Sequence, residues 1–205
     1  MNPPTPFPPP ARGPADHEVR NQIIAAAMVH FQQYGYEKTT VSDLAKTIGF
    51  SKAYVYKFFE SKQAIGESIC SNCLREIEAE IEAAIATTED APEKLRRMFK
   101  AIVGASLRLF FENRKLYEIA ACAENERWQV AIAYEERIRA LIQRIVSEGR
   151  RSGVFERRTR LGDATTSVFL IMRTYFNPLL LQHSLDYTDE APAQLSSLII
   201  RSLSA

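Results

Sequence analysis

The sequence predicts an all-α protein, and three observations carry that prediction. From Asp16 onward apolar residues recur at three- and four-residue steps, the period of a helix with one buried face. No alternating apolar–polar run and no hairpin dipeptide competes with that pattern. No internal repeat marks a solenoid or a propeller. With 205 residues, 46% of them hydrophobic, the chain can bury a core in one large domain or two small ones.

The first fifteen residues, MNPPTPFPPPARGPA, hold seven of the ten prolines, so residues 1–15 read as an extended, disordered tail. They lack the apolar core of a signal peptide. In DHEVRNQIIAAAMVHFQQYG, Val19, Ile23, Ala26, Ala27 and Phe31 share a helix face, and Gly35 ends the helix in a left-handed cap. Thr40 caps a second helix, its hydroxyl set to accept the amide of Asp43, with Leu44, Ala45 and Ile48 inward. Gly49 ends that helix after barely two turns. Ser51 caps a third, whose inward residues by angular count are Val55 and Phe59. Ser61 opens a helix running to about Thr87, with Ile65, Ile69, Leu74, Ile77, Ile81 and Ile85 on its apolar side. At 1.5 Å per residue, roughly 25 residues span roughly 37 Å, enough to tie a small N-terminal unit to the rest of the chain.

More helices make up the remainder. Asp90 caps one with Pro92 in its first turn, running to about Glu112. A short one spans Asn113 to Cys122. A long amphipathic helix runs from about Glu124 to Arg150, with Trp128, Ile132, Ile138, Leu141, Ile142 and Ile145 inward. After a loop near Gly153 come helices over about Asp163–Leu181 and from Asp189 to near Leu203. The stretch VFLIMRTYF (168–176) is apolar almost all round, and Leu195, Leu198, Ile199, Ile200 and Leu203 wrap more than one face. Helices that apolar need two neighbours, so residues 163–203 are expected to pair with a second copy of the chain.

Composition narrows the function. A net charge of +1 supplies no global field toward nucleic acid or membrane, so any such attraction is local. No uninterrupted apolar run reaches the roughly 18 residues of a membrane span. Three cysteines, an odd number, point to free thiols in a reducing cytoplasm.

The stretch TIGFSKAYVYKFF (47–59) stops one helix and starts another within three residues. Two short helices joined by a tight turn containing glycine form a helix-turn-helix. With Val55 and Phe59 inward, Lys52, Ala53, Tyr54, Lys57 and Phe58 fall on or near the outer surface. Such a helix fits the major groove, about 12 Å wide. Lys52 and Lys57 reach phosphates or guanine edges, Tyr54 stacks on a thymine methyl, and Ala53 lets the backbone approach. The helix N-termini at Thr40 and Ser51 offer amides to phosphates.

TTVSDLAKTIGFSKAYVYKFFESKQAI (39–65) resembles the DNA-binding region of TetR-type (tetracycline-repressor-like) transcriptional regulators. That pattern is a Thr-led helix ending in Ala-x-x-x-Gly, then Ser-x-x-x-aliphatic-Tyr-x-x-Phe-x-x-Lys. Thr40, Ala45, Gly49, Ser51, Val55, Tyr56, Phe59 and Lys62 fall on it, and the likeness extends over residues 17–78. It implies a homodimer on a double-stranded DNA operator, its two motifs in major grooves about 34–36 Å apart. It also implies phosphate contacts from Thr40, Tyr56 and Lys62, and base-edge contacts from Ser42, Lys52, Ala53, Tyr54 and Lys57. Phe58 departs from the Tyr or His usual at its position, which removes one phosphate hydrogen bond. His30 stands where an aliphatic residue normally packs. The implied organisation is a helix-turn-helix domain over residues 16–62 (motif about 40–59) and a helical effector-binding and dimerisation domain over residues 63–205.

Other features have plainer readings. His30 reads as a satisfied, mostly buried histidine. Cys70 and Cys73 share a helix face, but no third ligand completes a metal site, and packing accounts for them. Phe110, Tyr117, Trp128, Phe169, Met172 and Phe176, with Phe111, Tyr134 and Tyr175, are core residues or line an effector cavity. Arg173, inside an apolar run, needs a partner: a ligand carboxylate or, preferred, an acid such as Glu118 or Glu124. No Glu-x-x-His pair, phosphate loop, Gly-x-Ser-x-Gly or zinc spacing supports an enzyme, and neither a cofactor nor a metal is expected. The expectation is a cytoplasmic regulator, a repressor released by a small apolar or amphipathic effector. The alternatives are a DNA-binding dimer that senses nothing and, behind it, a helical-bundle enzyme.

Overall fold

The computed structural model describes residues 14–205, and the expected tail over residues 1–13 lies outside the described residues. Helix α1 covers Pro14–Tyr34, opening inside the stretch expected to be tail. The others are α2 (Val41–Ile48), α3 (Lys52–Tyr56), α4 (Lys62–Ile85), α5 (Ala91–Glu112), α6 (Arg114–Asn125), α7 (Gln129–Ser152), α8 (Leu161–Phe176), α9 (Pro178–Leu181) and α10 (Ala191–Leu203). Among the described residues the sole β feature is an isolated bridge between Phe155 and Ser204. The chain divides after Ile65 into two compact units, and α4 is continuous across the division.

In the first unit, α1, α2 and α3 close on a core of Ile23, Ala27, Phe31, Leu44, Val55 and Phe59. Gly35 ends α1 at φ 86°, its N–H bonded to the Phe31 carbonyl at 2.8 Å. Left-handed backbone of this kind disfavours residues with a Cβ. Arg20 pins the far end of the motif. Its guanidinium lies 4.1 Å from the Phe59 ring centre and donates to the Phe58 carbonyl at 2.8 Å. Phe58 itself, expected near the outer surface, is only 6% exposed. The turn after α3 stays helical, with Phe58 N–H and Phe59 N–H both on the Val55 carbonyl, so both rings swing under α3.

In the second unit, α7 packs along α8 and α10 along α5, around Leu95, Met98, Phe99, Ile102, Ile142 and Met172. Two helix boundaries differ from expectation. The helix expected from Glu124 begins at Gln129, because Arg127 takes φ 56° and Trp128 N–H turns back to the Ala123 carbonyl at 2.8 Å. The helix expected over 163–181 breaks at Asn177. Pro178 has no N–H to continue α8, and the Asn177 side chain accepts from Leu179 and Leu180 N–H to start α9. Gly149, inside α7, has a packing reason: a Cβ there would lie 2.1 Å from the Phe155 ring. No described helix is long and apolar enough to cross a membrane.

Candidate functional site

The sequence motif becomes a rigid object through its caps. Thr40 and Asp43 form a reciprocal capping box. Asp43 N–H donates to Thr40 Oγ1 at 3.2 Å, while the Thr40 amide and hydroxyl donate to Asp43 Oδ2 at 3.0 and 2.6 Å. The Thr40 hydroxyl and amide hydrogen bonds hold the Asp43 carboxyl below its ordinary value. At the other end of α2, Gly49 takes φ 77° and Phe50 N–H reaches the Ala45 carbonyl at 2.8 Å. Ser51 Oγ then accepts from Tyr54 N–H at 3.1 Å and starts α3.

With Val55 fully buried, α3 has one committed face. Ser51, Lys52, Ala53, Tyr54, Tyr56 and Lys57 are all exposed on the other side, and Ser42 is half-buried on α2. The Tyr54 ring is gripped edge-on by two neighbours. Phe50 lies 5.0 Å away at 78° and Phe58 5.2 Å away at 74°. Such tilted pairs stabilise a ring beyond the area they bury, so Tyr54 stands in a fixed direction although it is 37% exposed. The sequence expectation holds no such ladder, since it puts Phe58 near the outer surface and gives Phe50 no role; three aromatics at i, i+4 and i+8 are the signal for it.

Lys62 is engaged within the unit. Its Nζ donates to the Tyr36 carbonyl at 3.1 Å and sits 4.2 Å from the Tyr36 ring centre. An ammonium has three donors, so this contact holds the charge in place and leaves donors for an anion. Lys52 Nζ lies 5.8 Å from the Tyr56 ring centre. His30 is half-buried, its Nδ1 3.1 Å from Thr39 Oγ1. Because that hydroxyl donates to the Gly35 carbonyl, His30 Nδ1 carries the proton and donates to it.

A cavity of about 60 Å³ lies in the second unit, walled by α4, α5, α6, α7 and the α8–α9 junction. Of the nine aromatic and methionine residues that the sequence offers as core or cavity lining, Tyr117, Tyr134 and Phe176 line the cavity. Phe169 and Met172 are core residues beside them, Trp128 is buried at the start of α7, and Phe110 packs partly buried on the core. Phe111 is exposed, edge-on to Phe110, and does not line this cavity. The α4 wall is Ile69, Cys70, Cys73, Leu74 and Ile77, residues that periodicity assigned to ordinary helix packing. Burial pushes the Cys70 thiol up to about 12, with Cys73 and Cys122 adding to the rise, and burial also raises Cys73. These thiols stay protonated at neutral pH, which makes them poor nucleophiles and poor metal ligands.

At one end of the cavity, Arg173 finds its partners. Its Nε donates to Glu135 at 2.6 Å and its Nη2 to Glu124 at 2.7 Å, and Asn177 Nδ2 donates to the same Glu124 oxygen at 2.7 Å. Glu124 was anticipated and Glu135 was not. Two acids take the two sides of the guanidinium, which closes those donors to a ligand carboxylate.

Residues 23–69 match the family model for bacterial regulatory proteins of the tetR family. Residues 91–196, more than half of the chain, match that for the tetracyclin repressor-like C-terminal domain. The chain is similar to YhgD, an HTH-type transcriptional regulator of Bacillus subtilis, at 26% identity over 159 residues, 75% of this chain and 78% of that protein. It is also similar to IcaR of Staphylococcus aureus, a negative transcriptional regulator of the biofilm operon icaADBC. That likeness is 36% identity over 55 residues, 27% of this chain and 30% of IcaR. In fold it is similar to a TetR-family transcriptional regulator of Pectobacterium atrosepticum, with a TM-score of 0.75 at 18% identity, covering 95% of this chain and 98% of that one. Capped α2 and α3, the outward polar face of α3 and the two family matches lead to one assignment: the chain belongs to the TetR family of bacterial regulatory proteins and is a DNA-binding transcriptional regulator.

Proposed function

We propose that the protein is a cytoplasmic repressor that binds its operator as a homodimer and leaves it when a small hydrophobic effector enters the cavity. The single observation that carries the DNA-reading part is the sidedness of α3, with Val55 and Phe59 buried and Lys52, Tyr54 and Lys57 exposed. In this reading residues 16–62 form the DNA-binding domain and residues 63–205 the effector and dimerisation domain. Thr40, Ser51, Tyr56 and Lys62 meet phosphates, while Ser42, Lys52, Ala53, Tyr54 and Lys57 meet base edges. The repressor sign is drawn from the likeness to IcaR, a negative regulator.

Dimerisation through 163–203 is supported by Leu170 and Leu198, which are 57% and 54% exposed on α8 and α10. Large apolar side chains exposed on two neighbouring helices are what a second subunit covers. The effector step is supported by the apolar lining of the cavity, from Ile69, Leu74 and Ile77 to Tyr134 and Phe176. At about 60 Å³ the cavity is far below the roughly 300–1,000 Å³ of pockets that hold drug-sized ligands. A ligand enters only by parting the walls, and the α4 wall is continuous with the start of that helix at Lys62. Displacing α4 is therefore the proposed lever between effector and DNA.

Footprinting on the DNA upstream of its own gene tests the reading. Protection by the protein alone, lost with a hydrophobic ligand, is the expected result. No protection of any duplex at low salt would remove the DNA-reading role. Protection that no hydrophobic ligand relieves would favour the alternative of a dimer that senses nothing, a reading that the narrow cavity also fits.

A further inference from the structure

The cavity is apolar except at one end, and the polar end is unbalanced. Glu124 is 7% exposed and lines the cavity, yet its contacts all fall on one oxygen. Oε1 accepts from Arg173 and from Asn177, each at 2.7 Å, and lies 3.7 Å from Arg127 Nη1. Among the described residues nothing hydrogen-bonds Oε2, and that atom is not sealed from access. Oε2 can therefore take a donor from the cavity side, and a charged donor bonds a carboxylate oxygen more strongly than a neutral one.

Charge tells the same story. Glu124 and Glu135 share the single part-buried guanidinium of Arg173. Arg127 stands 3.6–3.7 Å from both acids, beyond hydrogen-bond reach, with its side chain more than half exposed and screened. The Oε2 atoms of Glu124 and Glu135 accept no hydrogen bond from the described residues. The polar end therefore has two carboxylates, one inward guanidinium and a second that solvent screens. It repels an anion and favours a donor that carries positive charge. Lining the same cavity are the aromatic rings of Tyr117, Tyr134 and Phe176, which suit an alkyl or aromatic body.

We infer that the effector is a hydrophobic amine, its protonated nitrogen donating to Glu124 Oε2 and its apolar body lying among Tyr117, Tyr134 and Phe176. This inference rests on the proposed effector role and names the chemistry of that same cavity.

The test uses the full chain and three probes of one length: octylamine, octanol and octanoate. The chain has a single tryptophan, Trp128. It is buried four residues from Glu124, and its Nε1 donates to Glu126 at 2.8 Å, so its fluorescence reports binding. Octylamine should bind at least about tenfold tighter than octanoate, with octanol between, since a charge-assisted hydrogen bond at a desolvated site is worth about that much. Glu124→Gln keeps the size and an acceptor but removes the charge, and should abolish most of the preference for the amine. The preference of the unaltered protein is a separate measurement, so a Glu124→Gln chain that fails to fold does not shelter the inference.

Octanoate or octanol binding as tightly as octylamine overturns the ligand class, as does octylamine failing to bind or keeping its full advantage in Glu124→Gln. DNA release is scored in the same samples. Octylamine that binds with the expected preference yet leaves DNA bound overturns the effector reading and supports the ligand class.

Discussion

The recognition motif and the cavity are encoded in opposite ways. The caps and the ring ladder that shape α3 come from nearby in the chain, and Arg20 on α1, bonded to the Phe58 carbonyl, is the distant contact. Thr40 with Asp43, Phe50 with Ala45, Ser51 with Tyr54, and the ring ladder Phe50–Tyr54–Phe58 all lie within eight residues of each other. The cavity instead joins Cys70 on α4, Glu124 on α6, Tyr134 on α7 and Asn177 after α8. Its polar end depends on Arg173 reaching Glu135 and Glu124 across 38 and 49 residues of chain. The lesson is that a DNA-reading surface can be local, because the groove it fits is external, whereas a ligand site must be enclosed by walls from several helices.

The largest expected effect tests whether the recognition unit is as self-contained as its contacts. Phe59→Ala removes a buried ring beneath α3 and should destabilise the first unit by about 3–5 kcal/mol. Thermal unfolding followed by far-UV circular dichroism should show an early loss of helix, and DNA binding should go with it. Trp128 fluorescence, a probe of the second unit, should report its transition at the temperature seen without the substitution. Coincident early transitions would mean a single cooperative fold, and the contrast between local and distant encoding would lose its energetic meaning.

Next in size is Tyr54→Ala. Because Phe50 and Phe58 fix the direction of Tyr54, truncation should relax preference at one or two base positions, each worth about 1–3 kcal/mol, and leave the other positions intact. Binding to a library of single-base operator variants measures this. An unchanged preference profile would remove Tyr54 from the base-reading set and leave the aromatic ladder as packing alone.

Lys62 sharpens the comparison from the other side, since part of its bonding capacity is spent on Tyr36. Lys62→Met keeps most of the stem and removes the charge. It should weaken binding to all sequences about equally and lower the salt slope by about one. A slope that does not change would mean that the ammonium serves the fold of the first unit and not the DNA.

These contrasts explain what could be read from the sequence. Caps and a 3.6-residue period are short-range signals, so α1 to α4 were legible, with Gly35, Gly49, Thr40 and Ser51 as punctuation. Phe58 misled because it lies about 60° round the helix from Val55, at the edge of the inward face, and the helical turn after α3 carries its ring inward. The break at Asn177–Pro178 was signalled by the Asn-Pro dipeptide but lost inside a strongly apolar run. Cavity residues were least legible. On α4, Ile69 and Leu74 look the same whether they face a neighbour or a void, and only Arg173, an expensive residue to bury, advertised the polar end.

The smallest expected effect tests the most local feature of all, the cap on α2. Asp43 is held below its ordinary value because, as a carboxylate, it accepts from the Thr40 hydroxyl and amide. A group whose folded pKa is depressed stabilises the fold above its unfolded pKa, near 3.9 for aspartate, and loses that contribution as pH falls through the lower folded value. Asp43→Asn cannot ionise, so its stability deficit against the unaltered chain should be largest near neutral pH and should shrink as the acid limit is approached. Denaturant midpoints for the two proteins from neutral pH down to about pH 3 measure the gap. A constant gap would mean that shape, and not the carboxylate, makes the cap. It would also mean that the most sequence-legible piece of the recognition unit owes its stability to packing beneath it, the kind of cause that makes the cavity hard to read.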